Sequence, residues 1–217
     1  EMIRQLVQKR IEFIAIQNDH IQKKIQIDQL IHTLEKEGFH MKKEIDLLEI
    51  DAESVHEIKK SMPNMEMFLE QTRDLASSFR DEDDIAVMRF DIAHFKQVND
   101  AYGFDVGDRV IVDCYQLISR HAETMLAFPV IGRAGGDEFI IFARADAGQA
   151  RSAARAIVAA LSSYDFTSSG CPLAVGGYIG GLCGRDKSQS AIRKMVESSI
   201  GFLQKARETA VNSVYIQ

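Results

Sequence analysis

The stretch IGRAGGDEFIIF, residues 131–142, places two glycines and two acids between two runs of apolar residues. The apolar runs are rich in isoleucine and phenylalanine, which favour β-strands, and a pair of glycines suits the positive φ angles of a tight hairpin. We therefore predict two strands joined through Gly135 and Gly136. Asp137 and Glu138 then leave the turn at the start of the second strand, at one edge of a sheet.

Segments typical of helices and strands alternate on both sides of this hairpin. The predicted helices cover residues 64–79, 106–122, 147–164 and 188–208, and the predicted strands cover residues 83–92, 125–134, 137–145, 171–182 and 212–217. This order predicts an α+β fold, an α/β sandwich in which helices cover a mainly antiparallel central sheet.

A third acid ends the first predicted strand. Asp91 closes this strand in RFDIAHF, and a hairpin fold can bring it close to Asp137 and Glu138. Converging carboxylates repel each other, which raises the pKa of one of them unless a cation lies between them. Hard oxygen ligands favour Mg²⁺ or Mn²⁺, and Mg²⁺ usually shares its coordination shell with substrate phosphates. The acids therefore suggest metal-assisted phosphoryl transfer.

The segment AHFKQVNDAYG, which follows the first strand, predicts a turn that opens a helix. Free N–H groups at this turn, together with Lys96, could hold phosphate. Asn99 and Asp108 could recognise guanine, because an amide and a carboxylate match its O6 acceptor and its N1–H and N2–H donors. Taken singly, Asn99 could equally be a turn residue and Asp108 a helix cap.

The first 56 residues contain one glycine and no proline, and their apolar spacing resembles that of a coiled coil. One seam runs through Val7, Ile11, Ile14, Asn18, Ile21 and Ile25, and a second through Ile31, Leu34, Gly38, Met41, Ile45, Leu48, Ala52 and Val55. The spacing allows one long helix whose supercoil changes near residues 25–31, two helices that bend at Gly38, or amphipathic helices packed on the following domain. We predict an N-terminal helical segment over residues 1–60 and a second domain over residues 61–217.

Composition excludes several classes of protein. The chain has 217 residues and a net charge of -6, with no basic stripe for a nucleic-acid polymer. No apolar run approaches the roughly 20 residues of a membrane span. Three cysteines without a CxxC pair suggest buried thiols in a reducing compartment, so we expect a cytoplasmic location. Because the sequence begins at Glu1, an upstream membrane or sensor domain is an open expectation.

Two motifs together resemble a known family. The segment RAGGDEF at residues 133–139 and the segment FDIAHFKQVNDAYGFDVGD at residues 90–108 are similar to those of the GGDEF family of bacterial diguanylate cyclases. The resemblance covers residues 62–217. It implies a fold like the catalytic core of nucleotidyl cyclases, with the hairpin turn over the triphosphate of GTP.

The resemblance also implies roles for individual residues. Asp91, the backbone carbonyl of Ile92 and Asp137 would hold Mg²⁺ or Mn²⁺, with Asp137, Glu138 and Lys96 as the catalytic set. The substrate-binding residues would be Phe95, Asn99, Asp108, Gly136 and Lys205. In this set Asn99 and Asp108 bind guanine, Lys96 and Lys205 bind phosphates, and Gly136 lets the main chain approach the nucleotide.

The implied reaction condenses two GTP molecules into cyclic di-GMP and releases two pyrophosphates. Each 3′-hydroxyl attacks the α-phosphorus of the other GTP, so the resemblance implies a homodimer. The sequence departs from the family pattern at Ala93, where a second acid is usual, and after Lys205, where a glycine-arginine-asparagine run is usual. A degenerate GTP-binding regulatory domain is therefore the alternative to an active cyclase.

Overall fold

The hairpin predicted around Gly135 and Gly136 forms one edge of a five-stranded sheet in the computed structural model, which describes residues 52–217. The predicted coiled-coil seams up to Leu48, and the choice between one long helix and a bend at Gly38, lie outside the described residues. They stay predictions, as does the domain boundary between residues 60 and 61. Residues Val55–Gln217 form one compact unit.

Six α-helices, one 3₁₀ helix and five strands make up the described part of the chain. The α-helices are α1 Ala52–Ser61, α2 Met65–Ala76, α3 Phe95–Tyr102, α4 Phe104–Met125, α5 Ala147–Ser163 and α6 Gln189–Arg207, and the 3₁₀ helix is Phe166–Ser169. The strands are β1 Ile85–Ile92, β2 Ala127–Gly135, β3 Glu138–Arg144, β4 Gly177–Gly184 and β5 Val214–Ile216.

The sheet has the strand order β2-β3-β1-β4-β5. β1 pairs antiparallel with both β3 and β4, β2 pairs antiparallel with β3, and only β4 and β5 run parallel. Every residue of β1 is buried, as expected for a central strand covered on both faces. The predicted α+β fold with a mainly antiparallel sheet is therefore confirmed.

The hairpin turns one residue later than the sequence suggested. Gly135 still pairs with Glu138, so Gly136 and Asp137 alone form the loop. An irregularity in the register between Arg133 and Gly135 shifts the turn. Gly136 has a φ of 47°, which supplies the positive angle that a two-residue loop needs. Asp137 therefore lies on the tip of the hairpin itself.

Helices cover both faces of the sheet. On one face, Val87 and Phe142 pack in a core cluster with Phe68 of α2 and Met195 of α6. On the other face, Tyr115 of α4 contacts Phe139, with ring centroids 5.9 Å apart, and α5 packs against α4. Because side chains alternate along a strand, Asp91 shares the face of Val87, which is the face that α6 covers.

The glycines of β4 allow α6 to approach the sheet closely. A Cβ atom at Gly180 would overlap the backbone of Phe202 and Leu203. Gly180 lies opposite Arg89 of β1, so the C-terminal turns of α6 run beside the end of β1. The glycine-broken pattern of this strand is therefore a packing requirement that positions the end of α6.

The helix α1 packs on the domain. Val55, Ile58 and Met62 are buried, and the carbonyl of Pro63 accepts a hydrogen bond of 2.7 Å from the N–H of Arg133 in β2. The next helix begins after Asn64, whose side chain accepts from the N–H of Met67. Pro63 therefore precedes the N-cap residue of α2, and its carbonyl pairs with the neighbouring strand β2.

The three cysteines are all free, as the sequence suggested. Cys114 and Cys171 are buried and Cys183 is partly exposed. Burial raises the pKa of the Cys183 thiol to about 11. Within residues 52–217, no helix has both the length and the apolar character needed to cross a membrane.

Candidate functional site

The sheet brings the three predicted acids to one place. Asp91, the last residue but one of β1, lies directly opposite Glu138 of β3, so the two side chains share a face of the sheet. The N–H of Ile92 donates to the carbonyl of Asp137 at 3.4 Å, which ties the end of β1 to the hairpin tip. The antiparallel pairing of β1 with β3 therefore produces the acidic cluster that the sequence predicted.

A basic residue that the sequence analysis missed lies between these acids. Nη2 of Arg207 is 2.6 Å from Oδ1 of Asp91, and its Nε donates to Oδ2 of the same carboxylate at 3.2 Å. Nη2 also lies 3.1 Å from Oε1 of Glu138. The guanidinium thus bridges the two acids, and this fork geometry is the strong form of an arginine–carboxylate contact.

The structure does not bring Lys205 to this cluster. Its ammonium lies over the rings of Phe202 and Tyr215, 5.2 and 5.0 Å from their centroids. Residues two positions apart in an α-helix are separated by about 200° around the helix axis, so Lys205 and Arg207 point to nearly opposite sides of α6. Leu203 is buried under the helix, and Arg207 lies one turn beyond it on the same face. That spacing was the sequence signal that could have identified Arg207.

A second arginine, Arg89, forms an ion pair with Glu138. Arg89, two residues before Asp91 on the same face of β1, is buried and holds Oε2 of Glu138 at 3.0 Å. Its Nε donates to Oγ of Ser199 in α6 at 3.3 Å. Glu138 therefore contacts one arginine with each oxygen, and this pairing fixes its carboxylate at the edge of the cluster.

The surroundings of Asp91 and Asp137 disfavour the ionised forms of their carboxyl groups. Burial raises the pKa of Asp91 above its usual range, and the charges of Asp137 and Glu138 add to the rise although Arg207 opposes it. Burial also raises the pKa of Asp137, with a further contribution from Glu138. Both carboxylates therefore lie where added positive charge would stabilise the ionised form.

The donor set suits a hard divalent cation. Within residues 52–217, no three His, Cys, Asp or Glu side chains form a metal-binding group. Asp91 and Asp137 nevertheless offer two carboxylates with raised pKa values, and the backbone N–H of Ile92, which follows Asp91, contacts the carbonyl of Asp137. Mg²⁺ commonly takes one or two carboxylates and completes its shell with water and substrate phosphates. The residues therefore fit Mg²⁺ or Mn²⁺ carried in with a nucleotide.

A second set of predicted site residues lies where α3 meets α4. The Oδ1 atom of Asn99 is buried and has no hydrogen-bond partner. A Cβ atom at Gly107 would overlap this oxygen and would come within 3.2 Å of the ring of Phe95. The absence of a side chain at Gly107 therefore lets the Asn99 amide oxygen pack directly against the start of α4, beside the ring of Phe95. A buried polar atom without a partner is rare in a folded protein, so the Asn99 amide is a candidate to change its hydrogen bonding when a ligand binds.

Asp108 follows Gly107 and contacts an unexpected partner. Nζ of Lys59 in α1 lies 2.5 Å from Oδ1 of Asp108. Asp108 lies inside α4 rather than at its start, because the helix already begins at Phe104. The alternative role of Asp108 as a helix cap is therefore excluded. Asn99 likewise lies within α3, so it is not a turn residue.

Lys96 and Gly136 are two further residues that the sequence predicted to bind substrate. Lys96 is exposed in the first turn of α3, and His94 before it has a φ of 57° and makes no side-chain cap, which leaves the helix start open. Gly136 has no neighbour within 4 Å of where a Cβ would lie. The hairpin tip therefore has free space above it.

Arg133 binds the hairpin tip and also lies near Asp108. Its Nε and Nη2 donate to the carbonyl of Gly136 at 2.9 and 2.6 Å, which fastens the hairpin tip. Burial lowers the pKa of Arg133, while the nearby charges of Asp108 and Asp137 act in the opposite direction. The charges of Asp108 and Asp137 therefore both act on Arg133.

Known proteins are similar to this chain in sequence. Residues 55–213 match the family model described as "Diguanylate cyclase, GGDEF domain". A probable diguanylate cyclase of Escherichia coli, DgcC, is 44% identical over 59 residues, which are 27% of this chain and 15% of that protein. The chain therefore matches only a small part of this relative's length.

Solved structures share the fold. An active GGEEF domain of a diguanylate cyclase from Vibrio cholerae aligns with a TM-score of 0.62 at 23% identity, covering 71% of this chain and 97% of that one. The GGDEF domain of DgcB from Caulobacter crescentus, solved in complex with c-di-GMP, aligns with a TM-score of 0.61 at 22% identity, covering 72% and 91%. Because the family model spans most of the described residues, this chain belongs to the GGDEF family of diguanylate cyclase domains.

Proposed function

We propose that the chain is a diguanylate cyclase that condenses two GTP molecules into cyclic di-GMP and releases two pyrophosphates. The observation that carries this proposal is the meeting of Asp91, Asp137 and Glu138 where β1 and β3 pair, at the end of β1 that leads into the helix carrying Asn99. Membership of the GGDEF family supports the same activity.

In this proposal the acidic cluster binds the triphosphate. Asp91, the carbonyl of Ile92 and Asp137 would hold Mg²⁺ or Mn²⁺, which would neutralise charge on the phosphates. Gly136 leaves room for the nucleotide above the hairpin tip. Lys96 and the open start of α3 supply positive charge and N–H donors for phosphate oxygens.

Guanine would enter the pocket beside Gly107. The carboxylate of Asp108 would accept from N1–H and N2–H, and the Asn99 amide, whose buried oxygen has no partner in the free chain, would turn to hydrogen-bond the base. Phe95 lies beside Asn99 and offers an apolar surface to the ring. These contacts favour guanine over adenine, which has a lone pair at N1 and no amino group at C2.

The chemistry requires two chains. Each GTP provides a 3′-hydroxyl that attacks the α-phosphorus of the other, so two nucleotide sites must face each other. We propose that a homodimer brings them together and that the N-terminal helical segment controls this meeting, because a tethered pair has a high effective concentration. GTP is then the substrate and a second copy of the chain is the partner.

A GTP-binding regulatory domain without turnover is the second candidate. Ala93 is buried immediately beyond the metal-binding strand end, so this chain lacks the second acid that the family usually has there. Loss of a supporting charge next to a metal site lowers metal affinity or rate. This candidate would bind GTP and release no pyrophosphate.

Incubation of the purified chain with GTP and Mg²⁺, followed by separation of the nucleotides, tests the proposal. We expect cyclic di-GMP, and we expect the rate per chain to rise with protein concentration because two chains share each reaction. GTP that binds but is returned unchanged would favour the regulatory domain. A chain that fails to bind GTP would exclude both candidates.

The position of Arg207 leads to a prediction about substrate affinity. We propose that its guanidinium moves from Asp91 and Glu138 to the phosphates when the metal is bound. Arg207→Gln is then expected to raise KM for GTP about tenfold, since a charge-assisted hydrogen bond contributes roughly 1.5 to 3 kcal/mol. Steady-state kinetics measures this change, and Arg207→Lys should recover part of the loss.

Lys205→Gln is the matched control, because it removes the same charge two residues away on another side of α6. We expect its KM to stay near that of the parent. A larger effect at Lys205 than at Arg207 would restore the assignment made from the sequence.

A further inference from the structure

Lys59 gives the guanine pocket a basic residue that neither the motifs nor the family resemblance supplied. Its ammonium lies 2.5 Å from Oδ1 of Asp108, with side-chain exposures of 21% for Lys59 and 39% for Asp108. The position is fixed by α1, because the neighbouring Ile58 and the nearby Met62 are buried. Lys59 is therefore held at the pocket by the packing of its own helix.

The contact leaves Asp108 able to bind a base. A carboxylate has two oxygens and about four lone-pair positions, and Lys59 uses one oxygen. The Oδ2 atom can still accept from a ligand. On the Watson–Crick edge of guanine, the donors N1–H and N2–H lie beside the acceptor O6. When Oδ2 accepts from N2–H and Oδ1 uses its second lone pair to accept from N1–H, the ammonium bound to Oδ1 lies next to O6.

We propose that Lys59 donates a hydrogen bond to O6 of the bound guanine and is a specificity-determining residue. This inference rests on the proposed function, since it deepens the assignment of GTP as the substrate. Lysine and arginine are the usual partners of guanine O6 in proteins that recognise this base. With Asp108 on the donors and Lys59 on the acceptor, the pocket contacts both kinds of group on the edge.

The arrangement also rejects adenine. Adenine carries an amino group where guanine has O6, and an ammonium cannot accept a hydrogen bond from it. Asp108 would at the same time face the N1 lone pair of adenine. A site built to hydrogen-bond a substrate group discriminates against an analogue that leaves its polar groups unpaired.

The test uses a base in which only the acceptor is changed. The ligands are GDP and 6-thio-GDP, which keep the donors N1–H and N2–H and lack the pyrophosphate leaving group. Calorimetric titration of the full 217-residue chain with Mg²⁺ present gives both dissociation constants. We expect the parent to prefer GDP roughly tenfold, because sulfur is a weak acceptor.

Lys59→Met should remove this preference. We expect GDP to bind about tenfold more weakly to the variant, with little change for 6-thio-GDP. Lys60→Met is the matched control, because it removes the same charge from the adjacent exposed position of α1. Unchanged thermal unfolding of both variants shows that α1 still packs on the domain.

Two outcomes would overturn the inference. Tighter GDP binding by Lys59→Met would show that the lysine competes with the base for Asp108. Equal weakening for both ligands would show that it acts only through general charge or through the position of Asp108.

The product assay separates this inference from the proposed function. A parent that makes cyclic di-GMP, with a GDP preference that survives Lys59→Met, would overturn the role of Lys59 and keep the cyclase. A parent that makes no cyclic di-GMP but loses its GDP preference with Lys59→Met would keep the pocket and remove the reaction.

Discussion

Replacement of Asp137 by asparagine is expected to lower the rate of cyclic di-GMP formation by about a hundred- to a thousand-fold, a loss typical of removing one group that stabilises transition-state charge. Asp137 lies on the hairpin tip, and burial raises its pKa. The amide keeps the size of the side chain but loses the charge that would hold a divalent cation over the triphosphate. Product formation at saturating GTP and Mg²⁺ measures the effect.

Asp81→Asn is the control for this variant. Asp81 is exposed before β1, at the end of that strand opposite to Asp91, so the same change of charge there should leave the rate unaltered. Thermal unfolding should be nearly the same for both variants and the parent. An Asp137→Asn chain that forms product at the parent rate would remove Asp137 from the metal site.

Gly180→Ala is expected to destabilise the domain by about 3 kcal/mol or more, at the upper end of what overpacking usually does. The added methyl group would overlap the backbone of α6 at Phe202 and Leu203, which no change of side-chain rotamer can relieve. The helix would have to move away from β4 and carry Arg207 with it. Denaturant unfolding measures the change in the free energy of unfolding.

Gly201→Ala in α6 is the matched control and should have the opposite sign. Nothing lies within 4 Å of a Cβ atom at Gly201. Alanine is favoured over glycine inside a helix by about 1 kcal/mol, so this variant should be more stable than the parent. A Gly180→Ala chain as stable as the parent would mean that α6 and β4 are not in close contact.

The sequence predicted the strands and helices well because the apolar periods were strong. The hairpin at Gly135, the strand that carries Asp91 near its end and the pattern of α6 each had a clear signal, and all appear in the structure. The cluster of Asp91, Asp137 and Glu138 could also be predicted, since antiparallel pairing brings the end of one strand to the start of its neighbour.

The basic residues could not be placed from local patterns alone. Arg207 and Lys205 are both suitable phosphate ligands, and the choice between them depends on which face of α6 meets the sheet. Gly180 sets that face through a tertiary contact. Lys59 gave no signal, because its contact with Asp108 joins segments far apart in the chain. The exact turn also escaped prediction, since a register irregularity moved it by one residue.

The bridge from Arg207 to Asp91 and Glu138 separates folding of the domain from the binding of a cation. Converging carboxylates would normally make folding depend on a bound cation, as in small metal-dependent domains. Here the chain carries its own counter-ion in the guanidinium, and Arg89 balances the second oxygen of Glu138. The charges of Asp91 and Glu138 are thus already paired within the chain, so folding of the domain does not require a cation at these two acids.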